Sequence, residues 1–171
     1  MLSCPVGHST RPGPSGAGER RAWIDSIAGA PSQLRGAVAG LSDAQLDTPY
    51  RPGGWTVRQV VHHLPDSHMN AFVRMKLALT EELPTIRPYD EARWAELPDA
   101  SAPLPPSLEL LDALHAKWVL LLRRLAEADW SRTFRHPESG DWRLDHVLSM
   151  YAWHGAHHIA HITSLRQREG W

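Results

Sequence analysis

Apolar residues return at helical spacing in four stretches of the chain, and the polar stretches between them are rich in proline and glycine. A first helix is predicted over about 19–38. In a second, Val57, Val60, Val61, Leu64, Ala71, Phe72, Met75 and Leu79 share one face. Thr56 precedes it and Gln59 follows three residues on, a capping box in which hydroxyl and amide side chain each satisfy the other's backbone N–H. A third, over 107–127, carries Leu108, Leu111, Leu114, Trp118, Leu121, Leu122 and Leu125. A fourth, over 144–168, has Leu144, Val147, Leu148, Tyr151, Gly155, Ile159, Ile162 and Leu165 as its stripe, and Gly170 suits its C-terminal end. Pro31 in the first helix and Pro65 in the second each remove a backbone donor; Pro31 is expected to break or kink its helix and Pro65 to kink its own.

The intervening segments predict smaller pieces. Ser42-Asp43-Ala44-Gln45 has the form of a second capping box, opening one short turn. Pro49, Pro52, Gly53 and Gly54 make a loop, and the prolines from Pro84 to Pro106 make another, with a short helical piece around 90–97. His136-Pro137 and Gly140-Asp141 predict a turn carrying a small hairpin within 131–143. Residues 1–18, rich in proline and glycine and without periodicity, predict an extended arm laid over the rest. The expectation is an all-α fold: a four-helix bundle over 19–171 with short extra helices and a small hairpin, its long loops freeing it from simple up-and-down connectivity.

Composition narrows the function classes. With 42% hydrophobic and 22% charged residues, the 171-residue chain is of ordinary globular character and one domain in size. A net charge of −1 and the absence of a basic run argue against nucleic acid as partner. The apolar run 118–122 is far short of the roughly 20 residues that cross a bilayer, so no membrane is expected. A single cysteine, Cys4, and no secretory segment point to the cytoplasm.

Histidine is the unusual residue. There are eleven, four of them (His154, His157, His158, His161) within eight positions, and His62-His63 form a pair. Histidines four apart on a helix share a face and can reach one cation. The last helix offers two such pairs, and its stripe separates them. At about 100° per residue, His158 falls inside the apolar arc and His154 roughly 80° from its centre. His157 lies roughly 140° away, toward solvent, and His161 at the edge. The inward pair is His154 with His158. Two imidazoles rarely fix a catalytic metal, so a third ligand is needed. On the second helix His62, His63 and His68 are candidates. His68 lies in the stripe, His63 roughly 110° off its centre and His62 further round. Periodicity leaves the choice open.

Several segments together resemble the YfiT group of the DinB-like superfamily. They are Gly53-Gly54-Trp55-Thr56-Val57-Arg58-Gln59-Val60-Val61-His62-His63-Leu64 with Asp66-Ser67-His68-Met69-Asn70, and Tyr151-Ala152-Trp153-His154-Gly155-Ala156-His157-His158-Ile159-Ala160-His161-Ile162. Leu46-Asp47-Thr48-Pro49-Tyr50-Arg51 and Arg87-Pro88-Tyr89-Asp90-Glu91 belong to the same pattern, which spans residues 20–171. The resemblance implies a four-helix bundle, a homodimer, and one divalent metal held by His63, His154 and His158. Pro65 departs from the pattern, in which a small helix-forming residue stands there, and it leaves the carbonyl of Val61 without its usual partner.

Three neutral imidazoles leave a divalent ion its full charge and a fourth position for water or substrate, and such an ion lowers the pKa of bound water to about 7. Zinc is the first choice and nickel the second, since imidazole suits both. Ser67, Asn70, Asp66 and Glu81 are candidates to orient the ligands, His161 is a candidate acid–base group, and His62 and His157 are expected to meet solvent. The group implied by the resemblance is of metal-dependent hydrolases acting on small molecules. The alternatives are transfer of a low-molecular-weight thiol such as bacillithiol to an electrophile, and metal or ligand binding without catalysis.

Overall fold

The computed structural model describes residues 6–7 and 14–171. Most of the expected arm, Cys4 included, therefore lies outside the described residues. The elements in chain order are α1 (Ala17–Val38), α2 (Asp43–Leu46), α3 (Val57–Thr80), α4 (Glu91–Trp94), a 3-10 turn (Pro98–Ser101), α5 (Pro105–Leu122), a second 3-10 turn (Glu127–Ser131), strands β1 (Thr133–His136) and β2 (Gly140–Arg143), and α6 (Leu144–Glu169). The two strands pair antiparallel, Thr133 opposite Arg143 and His136 opposite Gly140, which turns at φ 79°. Among the described residues no helix is long and apolar enough to cross a membrane.

The four long helices form the bundle. α1 packs chiefly against α6 and α5, and α3 packs against the same two. Helix α1 thus faces α3 across a diagonal, and α5 faces α6. Successive long helices are neighbours only at the step from α3 to α5, a connectivity that is not up-and-down.

Local chemistry fixes the helix ends. Gln59 N–H donates to Thr56 Oγ1 at 3.1 Å and Thr56 N–H to Gln59 Oε1 at 3.0 Å, the reciprocal box expected at the start of α3. Ser42 and Gln45 do the same for α2. α6 stops at Gly170, whose φ of 74° is open to glycine at little cost. Arg166 of α6 donates to the carbonyls of Ala37 and Ala39 (2.9 and 3.0 Å), closing the C-terminus of α1 from a neighbouring helix. Arg58, buried at the start of α3, reaches Asp47 Oδ1 (2.6 Å), Asp43 Oδ1 (2.8 Å) and the Ala102 carbonyl (3.3 Å), tying three segments together.

Neither proline ends its helix. α1 runs through Pro31 and α3 through Pro65, and both prolines are buried. α1 is not broken at Pro31, because the helix is long and packed along its length, which outweighs one lost hydrogen bond.

The apolar interior is in two parts. One gathers Ile24, Ile27, Met75, Trp118, Leu144 and Leu148; the other Leu34, Leu64, Leu111, Ile159, Ile162 and Leu165. Along every long helix the two parts are separated by a few residues, and in α3, α5 and α6 those residues include histidines: His68, His115, and His154 with His158. A polar layer crosses the bundle at its middle.

Candidate metal centre

α3 carries His63 one turn before this layer, and α6 carries His154 and His158 one turn apart. One nitrogen of each ring lies within 4.8 Å of the other two. The Nε2 atoms of His63 and His154 are 3.3 Å apart. Two imidazole nitrogens on a tetrahedral zinc, each at about 2.0–2.1 Å, stand about 3.3–3.4 Å apart, so this spacing suits one small cation. His158 has its Nδ1 buried without a hydrogen-bond partner among the described residues. Burial pushes the His63 ring down to about 4. Burial, then the neighbouring rings, holds His154 and His158 well below the ordinary histidine range. All three are neutral near pH 7, the state in which imidazole is a ligand. The donor set, its spacing and its protonation fit a divalent ion of the zinc or nickel type.

The other sequence candidates fall at different distances from this group. His68, fully buried, stands behind His154, its Nε2 3.2 Å from His154 Nδ1. His161 is also buried; its ring stacks on Tyr50 at 4.0 Å and its Nε2 is 3.0 Å from His157 Nε2. Burial, then His157 and Arg51, lowers it to about 4. His62 and His157, expected in solvent, are both buried. His62 donates from Nε2 to the Ala102 carbonyl (2.9 Å) and accepts at Nδ1 from the Ser107 hydroxyl (2.7 Å), because α5 and the turn before it cover that flank of α3. His157 is covered by Trp153, stacked at 4.4 Å.

Of the carboxylates, Glu81 does not reach the group. It is exposed at the far end of α3, about 27 Å along the axis from His63 at 1.5 Å per residue. Asp66 is close: it lines, with His63, His62, Gln59, Tyr89 and Asp99, a cavity of about 10 Å³, the room of a single water. Burial, then Asp99, pushes its carboxyl up to about 6. Asn70 turns back to its own helix, donating to the Asp66 carbonyl at 2.9 Å. Ser67 is buried beside the phenols of Tyr89 and Tyr151.

Two residues at the site escaped the sequence reading. Trp55, in the glycine-rich loop before α3, tilts over His63 with ring centroids 4.7 Å apart and lies parallel to His158 at 6.3 Å. His115 of α5 lies 2.8 Å from His68 Nδ1 through its own Nε2. Trp55 had a signal, as a large aromatic placed between Gly54 and a helix cap. His115 had none, being a lone histidine in an apolar helix.

Fold and site together define a class: a four-helix bundle with long cross-connections and a three-histidine group at mid-height. The family model for the DinB superfamily matches residues 27–162, and the chain belongs to that superfamily. It is 58% identical over 149 residues to a protein of Bacillus mycoides (strain KBAB4) provisionally named a metal-dependent hydrolase, covering 87% of this chain and 86% of that one. A Bacillus cereus (strain B4264) protein with the same provisional name is 53% identical over 170 residues, 99% of this chain and 98% of its own. Among solved structures, YfiT from Bacillus subtilis superposes with a TM-score of 0.97 at 49% identity, over 99% of this chain and 98% of that one. YfiT is described as a probable metal-dependent hydrolase with an unusual four-helix bundle topology. The diagonal order of helices above is of the same kind.

Proposed function

We propose that this chain is a metal-dependent hydrolase of small molecules, with His63, His154 and His158 holding one divalent ion, zinc by first preference and nickel by second. The observation that carries the reading is the convergence of three neutral imidazoles from α3 and α6 within 4.8 Å. The names of close relatives support it. Held by these three rings, the ion would supply acidification of water and polarisation of a carbonyl.

The chain's own residues complete the arrangement. Trp55 covers one side of the ligand rings and excludes solvent there. We assign the acid–base role to Asp66, whose carboxyl lines the cavity beside His63 and titrates near 6. His161 is a poorer candidate, with its ring against Tyr50 and its Nε2 engaged by His157.

Metal content per chain, measured for the wild type and for His63→Ala, His154→Ala and His158→Ala, tests the ligand set: about one ion in the wild type and far less in each variant. Ester and amide libraries then test hydrolysis, with a parallel incubation of thiol and electrophile read by mass spectrometry. Products of hydrolysis that vanish in His154→Ala sustain the proposal. A thiol conjugate as the sole product replaces it with S-transfer, and neither activity at full occupancy leaves a binder. Sedimentation of the loaded protein reports whether it is a homodimer.

A further inference from the structure

The first link lies in α1. Pro31 has no amide hydrogen, so the Ile27 carbonyl, four residues earlier, lacks its intrahelical donor. His115 of α5 is aimed at it: Nδ1 to carbonyl oxygen is 2.6 Å. A carbonyl only accepts, so this nitrogen carries the hydrogen. His115 and His68 are each 1% exposed, and an imidazole so enclosed is neutral because burial disfavours the charged form. A neutral imidazole has one N–H and one lone pair. His115 Nε2 therefore accepts, and its partner at 2.8 Å, His68 Nδ1, donates. His68 Nε2 is then the acceptor, and its partner at 3.2 Å, His154 Nδ1, donates in turn. What remains on His154 is the Nε2 lone pair, and this is the atom 3.3 Å from His63 Nε2.

We propose that the Ile27 carbonyl, His115 and His68 form a tautomer relay that holds His154 with its hydrogen on Nδ1 and its Nε2 lone pair facing the cation. His68 and His115 are positioning residues, acting through His154. The inference rests on the reading that His154 is a ligand. Its physical basis is that a ring free to take either tautomer spends part of its time with a hydrogen where the cation must sit. Fixing the other nitrogen as donor removes that competition and raises the basicity of the ligand atom. The relay is enclosed: His68 and His115 are both buried, stacked on each other at 4.9 Å and wedged by the edges of Trp118 and Tyr151.

Two measurements on the full chain test this. In metal-free protein labelled with nitrogen-15 at histidine, two-bond proton–nitrogen spectra should give the Nδ1–H tautomer for His115, His68 and His154. The Nε2–H tautomer in either of the last two overturns the proposal, with or without metal binding. In the second, zinc affinity is read by chelator competition. His68→Phe keeps a ring and removes the acceptor, and is expected to weaken zinc by about ten- to hundredfold. His68→Gln places an amide oxygen near the former Nε2 and should recover most of that loss. Zinc held by His68→Phe as tightly as by the wild type refutes the relay, even where His154→Ala has lost the metal and the ligand set stands. Zinc retained by His154→Ala removes the ligand set instead and leaves the tautomer spectra to decide the relay. If His68→Phe fails to fold, the Gln variant must match the wild type; a Gln variant as weak as His154→Ala counts against the proposal.

Discussion

Acid should unfold the metal-free protein well above the pH at which carboxylates protonate, because its interior holds histidines that resist charging. The His63 ring is lowered to about 4 from 6.5, and His68, His115, His154, His158 and His161 are lowered as well, burial first in each case. Between about pH 6.5 and 4 the unfolded chain binds protons at these rings and the native state does not. Stability is therefore complete above pH 6.5 and falls as the pH drops. For His63 alone the loss at pH 5, relative to pH 8, is about 2 kcal/mol. Asp66 works in the opposite direction, since its carboxyl at about 6 in the native state binds a proton before the unfolded chain does, subtracting one from the count. With the six rings acting together and Asp66 opposing them, we expect a net uptake of about four to five protons on unfolding near pH 5.5, a slope of about 6 kcal/mol per pH unit. Against a total stability of about 5–15 kcal/mol, that unfolds the protein near pH 5. Urea titrations in the presence of chelator, followed by tryptophan fluorescence at half-unit steps from pH 8, measure the slope directly. A slope below one proton, about 1.4 kcal/mol per unit, would refute the picture of a buried neutral cluster.

Two substitutions probe the frame around the site. At Gly155, mid-way along α6, an added Cβ would meet Ala30 Cβ and His68 Cε1 at 3.6 Å, ordinary contact distance. Gly155→Ala should therefore stabilise the protein by about 0.5–1 kcal/mol through lost unfolded-state freedom, and a lower melting temperature would contradict that fit. Arg58→Met removes three hydrogen bonds, but its partners Asp43 and Asp47 are largely exposed (89% and 58%) and regain water. The cost should be about 1–3 kcal/mol, below the roughly 3–5 kcal/mol of a fully buried broken pair. A denaturation loss beyond about 4 kcal/mol would mean that Arg58 holds more than Asp43, Asp47 and the Ala102 carbonyl.

The parts of the molecule that depend on one segment at a time were legible in the chain. Thr56 with Gln59 marked the start of α3, and the stripe from Leu144 to Leu165 marked α6 almost to the residue. The same stripe singled out His154 and His158 over His157 and His161. What depends on neighbours was not legible. An angle around one helix reports direction relative to that helix's own stripe and nothing of what lies opposite. α6 packs against both α1 and α3, so a wide arc of it is covered, and His157 is buried though far from the stripe. His62 is buried for a like reason, by Ser107 and Ala102 from segments 40 or more positions away. His68 had the better angle than His63, but angle gives no order along a line of sight, and His68 stands behind a ligand candidate rather than beside it.

The prolines carry the same lesson at the level of single atoms. In a sequence, a proline within a helix predicts what it disrupts, and Pro31 predicts a break or kink in α1. The bundle instead uses what the residue leaves over. A buried carbonyl without a donor costs about 1–3 kcal/mol, and a buried imidazole needs partners for both nitrogens. Bringing His115 to Ile27 removes both deficits at one contact. The next ring then inherits the need, and the next, since each neutral imidazole that donates at one nitrogen must accept at the other. Such a chain cannot end within itself. It ends at His154 Nε2, 3.3 Å from His63 Nε2 and one helical turn from His158. Hydrogen bonding thus leaves one oriented lone pair, on His154 Nε2, facing His63 between two helices, at the point where we propose that the cation is held.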